Sequence, residues 1–273
     1  MIPKFSKHLK ILGRRLNQKK ELRALAQVKN QTLEKVLRAF HSTQTHSIAQ
    51  LETHAFERCE VYRQRLLTDE TVISYKVFSS DKTAKVREIC RKAPSSKKWC
   101  EFLYHLVKIT EAKGILEIGT NLGISGSYML EAVKNTTGHL TTMEGLPQLC
   151  EISFDQFSSI VPSSKFKIIQ GLYDDTFPTL IREGKGFDLI FIDGNHKKEP
   201  TMEYFKALKS LCGASAIFVF DDIYWSAEMT EAWDEIKRDS DVNFTLDLYM
   251  MGIAIMDKNE PLRNKNFDLH LAY

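Results

Sequence analysis

Residues 114–126, the most informative stretch of the chain, read Gly-Ile-Leu-Glu-Ile-Gly-Thr-Asn-Leu-Gly-Ile-Ser-Gly. An apolar run contains the acid Glu117, a turn with Gly119 and Gly123 follows, and an apolar-periodic segment begins at Ile124. This order is typical of the first strand–turn–helix unit of a nucleotide-binding α/β sheet. The spacing Glu-x-Gly-x-x-x-Gly differs from the Gly-x-Gly-x-x-Gly that binds a dinucleotide pyrophosphate, and no phosphate-loop motif occurs in the chain. A carboxylate beside the turn favours a cationic ligand over a phosphate.

S-adenosylmethionine meets this requirement, since it carries a sulfonium and an ammonium but no phosphate. On the motif of residues 114–126, the chain resembles the class I S-adenosylmethionine-dependent methyltransferases. That resemblance implies an α/β fold with a Rossmann-like, doubly wound, seven-stranded and mostly parallel sheet that finishes in an antiparallel hairpin. It also implies S-adenosylmethionine as the cofactor.

The pattern beyond residue 95 is compatible with such a sheet, because short β-like runs alternate with helical segments. Alternation of this kind predicts parallel strands joined by helical crossovers. The last two runs are too close for a helical crossover and are predicted to pair antiparallel. The predicted strands are 115–118, 140–143, 166–169, 189–192, 216–220, 244–248 and 252–256. The predicted helices are 97–112, 124–134, 147–160, 177–183, 199–211 and 227–238.

The composition is that of a globular protein: of 273 residues, 43% are hydrophobic and 27% are charged. No apolar run approaches the roughly 20 residues of a membrane-spanning helix. Lysines and arginines interrupt any apolar leader at the N-terminus. The five cysteines are scattered and never stand in Cys-x-x-Cys spacing, which argues against structural zinc and a disulfide framework. We therefore expect a cytoplasmic protein with reduced, buried thiols.

The first 40 residues form a basic segment. They contain eleven Lys or Arg residues against two Glu, whereas the rest of the chain has more acids than bases. Helical patterning continues with few breaks to about residue 67. Such an asymmetry of charge indicates different structural parts. We predict a basic helical extension over residues 1–75 and a class I methyltransferase domain over residues 76–273.

One stripe of the basic segment is apolar, with lysines and arginines on the other faces, and this pattern predicts an amphipathic helix. The stripe consists of Ile2, Phe5, Leu9, Leu12 and Leu16. In one interpretation the helix packs on the catalytic domain or on the second subunit of a homodimer. In another, residues 1–20 make peripheral contact with the anionic inner face of a membrane. Nucleic-acid binding is not expected, because the segment lacks interleaved aromatic residues.

The residues that bind the cofactor are sought at the carboxyl ends of the predicted strands, where ligands bind in open α/β sheets. Glu144 lies at such an end, roughly 20 residues beyond the glycine turn, where an acid can accept hydrogen bonds from a ribose diol. By resemblance, Glu117 and Ser125 contact the methionine end of the cofactor and the Gly171 region contacts the adenine. The full predicted set is Glu117, Gly119, Thr120, Asn121, Gly123, Ser125, Glu144, Gly171, Leu172, Tyr173 and Asp193. The alternative is an ordinary helix-entry turn, with Glu144 as a surface acid.

Three acids stand at the ends of the next two predicted strands. Asp193 follows the apolar run 189–192, and Asp221 and Asp222 follow the run 216–220. Converging carboxylates repel one another unless a cation lies between them. Asp193, Asp221 and Asp222 are therefore predicted to ligate a divalent metal, with Mg²⁺ as the expected ion. In the alternative, Asp193 orients the substrate directly and the other two acids cap the next helix.

At these acids the chain resembles, more narrowly, the metal-dependent O-methyltransferases of the catechol and caffeoyl-coenzyme A type. It resembles still more the relatives that methylate sugar hydroxyls on macrolide antibiotics. The catechol type has an amide as the last metal ligand and a lysine base three residues past the first acid. This chain has Asp222 and His196 at those positions, as the sugar-methylating relatives do. The resemblance implies Asp193 and His196 as catalytic residues, with His196 as general base; the alternative is a turn histidine that caps the following helix.

The leading hypothesis is an S-adenosylmethionine-dependent O-methyltransferase that acts on a hydroxyl of a small molecule, such as a sugar or a lipid headgroup. Methylation of nitrogen in nucleic acid is disfavoured, because the segment Asp193-Gly-Asn-His196 lacks the Pro-Pro pair of such enzymes. Two alternatives stay open. One is a non-catalytic S-adenosylmethionine-binding or adaptor protein, and the other is a metal-independent methyltransferase with another acceptor.

Overall fold

The computed structural model describes residues 4–45 and 50–272. Ile2, the first member of the predicted apolar stripe, lies outside these residues. The helices are α1 (Lys4–Leu25), α2 (Gln31–Thr45), α3 (Gln50–Leu66), α4 (Val86–Lys92), α5 (Lys97–Thr110), α6 (Ile124–Val133), α7 (Pro147–Ile160), α8 (Tyr173–Glu183), α9 (Lys198–Lys209) and α10 (Ala227–Ile236). The strands are β1 (Val72–Ser74), β2 (Thr83–Lys85), β3 (Gly114–Ile118), β4 (His139–Glu144), β5 (Phe166–Gln170), β6 (Leu189–Ile192), β7 (Ser215–Asp221), β8 (Phe244–Asp247), β9 (Met251–Asp257) and β10 (Lys265–Asp268).

The chain divides into two compact units. The terminal unit comprises Met1–Arg38 and Lys185–Tyr273, and the central unit comprises Ala39–Gly184. The division differs from the predicted one between a helical extension and a methyltransferase domain at residues 75 and 76, which stays a prediction.

The central unit contains the glycine-rich motif. Its strands β3, β4 and β5 are parallel, with Ile115 opposite Leu140 and Leu140 opposite Phe166, and a helix follows each strand. All ten residues of α6 are buried, because the helix presents small or apolar side chains around nearly its whole circumference. β1 and β2 pair antiparallel as a separate two-stranded sheet. The motif of residues 114–126 is thus the strand–turn–helix unit that the sequence predicts.

The terminal unit contains the remaining strands. β6 and β7 are parallel, whereas β9 pairs antiparallel with both β7 and β8. The predicted mostly parallel α/β fold with an antiparallel hairpin is therefore confirmed. Three strands were not predicted: β1 and β2 of the central unit, and β10, which pairs parallel with β8 after the hairpin. Strand β10 (Lys265–Asp268) is short, and its residues are mostly polar and exposed, so the sequence there has no apolar strand pattern.

Helix α1 packs on the terminal unit through a face that the apolar stripe does not predict. Its buried residues include Ile11, Arg14 and Leu25. The leucines of the stripe face the solvent instead, with exposed fractions of 53% for Leu9, 52% for Leu12 and 76% for Leu16. The helix is therefore amphipathic as predicted, but the side with Ile11 and Arg14, and not the leucine stripe, packs against the rest of the terminal unit.

All five cysteines are buried with free thiols, as the scattered spacing predicts. Burial raises the pKa of each of these thiols. Across residues 4–45 and 50–272, none of the helices combines the length and the hydropathy that a bilayer crossing requires.

Candidate active site

Glu117 on β3 places a carboxylate in the interior of the central unit. Ser125 Oγ donates a hydrogen bond to Glu117 Oε1 at 2.5 Å, and Thr142 Oγ1 donates one to Oε2 at 2.7 Å. Burial raises the pKa of Glu117 to about 7, although both hydrogen bonds act in the opposite direction. A positive group brought to this carboxylate would favour its ionised form. Glu117 and Ser125, which were predicted together, are thus in direct contact.

The turn after β3 requires glycine at two positions. Gly119 has a φ of +108° and Gly123 a φ of +68°, which side chains with a Cβ rarely adopt. A Cβ at Gly123 would lie 2.9 Å from Ser153 Oγ and 2.9 Å from Phe157 Cε1. The backbone of the turn therefore lies close to α7, with no room for a side chain.

Glu144, the last residue of β4, supports the same turn. Its carboxylate accepts hydrogen bonds from the backbone N–H of Asn121 at 2.8 Å and of Leu146 at 2.9 Å. Burial raises the pKa of Glu144, and the backbone hydrogen bonds lower it. The side chain is only 8% exposed, so the alternative of a surface acid is wrong. A carboxylate has about four acceptor positions, so Glu144 retains capacity for a further donor.

The predicted cofactor residues of the central unit lie together at the carboxyl ends of its parallel strands. The amide of Gly171, after β5, donates to the carbonyl of Glu144 at 2.9 Å. Thr120 Oγ1 lies 2.6 Å from Thr142 Oγ1, which in turn contacts Glu117. The set so placed is Glu117, Gly119, Thr120, Asn121, Gly123, Ser125, Glu144, Gly171, Leu172 and Tyr173.

The acids of the terminal unit converge at the ends of β6 and β7. Asp193 follows β6, and its carboxyl group shares a hydrogen bond with that of Asp221, the last residue of β7. Burial and then the charge of Asp222 raise the pKa of Asp221. Two of the three predicted ligands, Asp193 and Asp221, are thus in contact, and the charge of the third, Asp222, acts on Asp221.

His196 belongs to the same cluster. Its Nε2 lies 3.5 Å from Asp193 Oδ1. Burial lowers the pKa of His196, and the charge of Asp222 opposes this effect. Asn195, His196 and Asp222 have φ values of +66°, +25° and +53°, which are uncommon outside glycine. Such backbone conformations persist where the surrounding structure fixes them, and they concentrate at functional sites.

The donor set of this cluster suits a hard divalent cation, because it offers carboxylate oxygens together with one imidazole. Besides burial, the charge of Asp222 raises the pKa of Asp221, and a cation would relieve this repulsion. Among the residues that the structure describes, no group of three or more His, Cys, Asp or Glu side chains already has the arrangement of a metal site. The residue types of the cluster suit a cation, but among the described residues these side chains are not arranged as a metal site.

A second polar cluster near these acids was not predicted. Asp247 Oδ2 accepts hydrogen bonds from Tyr224 Oη at 2.6 Å and from Trp233 Nε1 at 3.0 Å. Asp247 Oδ1 lies 2.7 Å from Arg14 Nη2, and both side chains are almost fully buried. Because Tyr224 lies two residues past Asp222, this cluster fastens α1 to the segment that carries the acids. The sequence does not distinguish Arg14 from the exposed basic residues around it on α1.

Fold and site together define the class: the chain has the Rossmann-like α/β fold of class I methyltransferases, with a glycine turn between two buried acids. A sequence model described as O-methyltransferase matches residues 76–256, and the chain belongs to this O-methyltransferase family.

Individual relatives agree with this assignment. A catechol O-methyltransferase of Niastella koreensis is 34% identical over 124 residues, which cover 45% of this chain and 55% of the relative. The chain thus spans about half the length of the curated relatives it matches. Two crystal structures share the fold. An O-methyltransferase from Bacillus cereus in complex with SAH has a TM-score of 0.53 at 21% identity, covering 61% of this chain and 84% of the other. An SAH-bound methyltransferase from Podospora anserina has a TM-score of 0.58 at 20% identity, covering 78% and 89%.

Proposed function

We propose that this chain transfers a methyl group from S-adenosylmethionine to a hydroxyl of a small molecule, such as a sugar, a lipid headgroup or another hydroxylated metabolite. Family membership supports the reaction class. The observation that carries the proposal is the cluster of the terminal unit, in which Asp193 contacts both Asp221 and His196. An acceptor hydroxyl needs both positioning and a base, and this cluster offers both.

The central unit supplies the residues that bind the methyl donor. The Glu117 carboxylate suits the positive charge at the methionine end of the donor, with Ser125 beside it. Glu144 retains acceptor capacity for the ribose diol. Gly171, Leu172 and Tyr173 follow β5, where the adenine is expected. Each of these assignments can be tested separately by the affinity of a variant for the donor.

The terminal unit supplies the residues that act on the acceptor. Asp193, Asp221 and Asp222 would hold the divalent cation, expected to be Mg²⁺. When bound, such a cation lowers the pKa of a hydroxyl near it. His196 Nε2 accepts the proton of the acceptor hydroxyl as the acceptor oxygen bonds to the methyl carbon. The carbon–sulfur bond breaks, and its electron pair stays on the sulfur of the donor.

The test is a methyl-transfer assay with S-adenosylmethionine and a panel of hydroxylated acceptors, with Mg²⁺ or with EDTA. We expect EDTA and Asp193→Asn to abolish transfer, and His196→Asn to lower kcat by about 10²–10⁴-fold. The matched controls are Asp81→Asn and His41→Asn, whose side chains are exposed and lie in the central unit. Donor binding by the His196 and Asp193 variants should be measured alongside by calorimetry.

Two outcomes contradict parts of the proposal. Full activity in EDTA together with an active Asp193→Asn variant would leave a metal-independent methyltransferase. Donor binding without transfer to any acceptor, and without an effect of Mg²⁺, would favour the non-catalytic adaptor.

A further inference from the structure

The outer face of α1 carries an exposed apolar stripe. Leu9, Leu12 and Leu16 are spaced by three and four residues, which places them on one side of a helix. Each is more than half exposed. Single exposed leucines are ordinary, but three in a row on one helix face form a surface that water solvates poorly.

Basic side chains border this stripe. Arg15, Lys19 and Lys20 are exposed and lie on the flanks of the leucine row by their helical positions. The sequence has no acidic residue before Glu21. Apolar centre and basic flanks are the pattern of a helix that lies in the plane of an anionic membrane surface, since long cationic side chains can reach lipid phosphates from such a position.

The inner face of α1 holds the helix in this orientation. Arg14 is buried against Asp247, and it also lies 3.4 Å from Asp268 Oδ1. Farther along, Gln18 Oε1 accepts a hydrogen bond from the backbone N–H of His270 at 2.8 Å. Ile11 is buried on the same side. Because these contacts fasten the helix to the terminal unit, its leucines cannot turn inward without breaking a buried ion pair.

We propose that α1 docks the protein on an anionic lipid surface, with Leu9, Leu12 and Leu16 in the acyl boundary and Arg15, Lys19 and Lys20 at the phosphates. The positive charge of this face of α1 favours anionic lipid over a second copy of the helix as the binding partner. A second copy of the helix would bring a second row of cations against the first, whereas anionic lipid is complementary to it. The proposal is independent of the methyl-transfer reaction, because lipid binding is measured without donor or acceptor.

The test is co-sedimentation of the full chain with vesicles of equal parts phosphatidylcholine and phosphatidylglycerol, and with phosphatidylcholine alone. We expect binding to the anionic vesicles at low salt, and a loss of binding at about 1 M salt, where screening is nearly complete. Replacing Arg15, Lys19 and Lys20 by Gln should weaken binding on the order of 100-fold at low salt. Replacing Leu9, Leu12 and Leu16 by Gln, which preserves helix propensity, should weaken it at least about tenfold.

Matched controls separate this face from the rest of the surface. Lys82→Gln, Arg91→Gln and Lys92→Gln together remove the same number of exposed charges from the central unit. Val61→Gln with Leu262→Gln removes exposed apolar side chains elsewhere. Both control variants should bind like the wild type, and circular dichroism should show all variants folded.

Three results would overturn the proposal. The first is wild-type protein that stays in the supernatant with anionic vesicles at low salt. The second is equal binding by the α1 variants and their controls. The third is a wild-type dimer in sedimentation velocity that the leucine variant converts to a monomer, with lipid binding unchanged, since a second copy would then cover the stripe.

Discussion

At the scale of single residues, Glu117 is a carboxylate that the fold keeps partly protonated at neutral pH. Burial is the main cause, and it raises the pKa to about 7 from an ordinary value of 4.5. The folded chain therefore holds this proton more tightly than the unfolded chain does. As a result, the free energy of unfolding falls as the pH rises from about 4.5 to about 7 and levels off above that range.

Glu117→Gln should remove this dependence. The wild type is expected to lose on the order of 2–3 kcal/mol between about pH 5 and about pH 8 through this one group. Urea denaturation at both pH values measures the difference. Glu151→Gln, which changes an exposed acid of the same unit, serves as the control and should keep the wild-type dependence. Parallel curves for the wild type and Glu117→Gln would show that the group titrates normally.

Gly123 carries a second prediction at this scale. Gly123→Ala combines a left-handed φ with a Cβ only 2.9 Å from Phe157 Cε1 and from Ser153 Oγ, so we expect a loss of about 1–3 kcal/mol. Donor affinity should fall with it, because the turn shifts. Gly13→Ala is the control, since nothing lies within 4 Å of its added Cβ and the residue is inside a helix. That control should gain about 0.5–1 kcal/mol.

At the scale of elements, α1 depends on one buried ion pair. Arg14→Met leaves the Asp247 carboxylate buried without its cation, which should cost about 3–5 kcal/mol in the free energy of unfolding. Arg15→Met changes the exposed neighbour and should alter stability by less than about 0.5 kcal/mol. Limited proteolysis should also cut α1 faster in the Arg14 variant. Similar stabilities for the two variants would mean that the ion pair does not fasten the helix.

Elements with a local apolar signal could be predicted from the sequence, and the others could not. The β6 and β7 runs are apolar throughout, so their bounds agree with the prediction to within one residue. β10 forms because β8 offers it a pairing edge, and that information is not in its own four residues. Helix α8 begins at Tyr173 rather than near 177, because Asp174 and Asp175 favour its first turn although Pro178 suggests a break.

The residues of the candidate site could likewise be predicted only where a local sequence pattern marks them. Glu117 and Glu144 could be predicted because they lie near the carboxyl ends of the two strands that flank the glycine turn. The three aspartates could be predicted because they follow apolar runs, where an acid has no packing role. The contacts that these side chains make could not be predicted from local sequence patterns. The hydrogen bond between Asp193 and Asp221, and the burial of Arg14 against Asp247, depend on side chains more than 25 residues apart in the chain.

At the scale of the whole molecule, the proposed cation should act as a stabilising ligand. A ligand that binds only the folded state, at about 100 times its Kd, adds roughly 2.7 kcal/mol to the free energy of unfolding. Thermal denaturation with increasing Mg²⁺ should therefore raise the wild-type midpoint. Asp222→Asn should respond less, and Asp81→Asn should respond like the wild type. A wild-type midpoint that Mg²⁺ leaves unchanged would contradict the assignment of the aspartates.

The reactivity of the buried cysteines reports how often the chain around each of them opens. Because the thiols are buried and burial raises their pKa, they stay protonated and react slowly until the chain around them opens. Cys212 lies in the terminal unit, whereas Cys59, Cys90, Cys100 and Cys150 lie in the central unit. Pulsed alkylation followed by peptide mass spectrometry thus gives a separate opening rate for each unit. If the units open independently, the modification of Cys212 will follow a different time course from that of the other four.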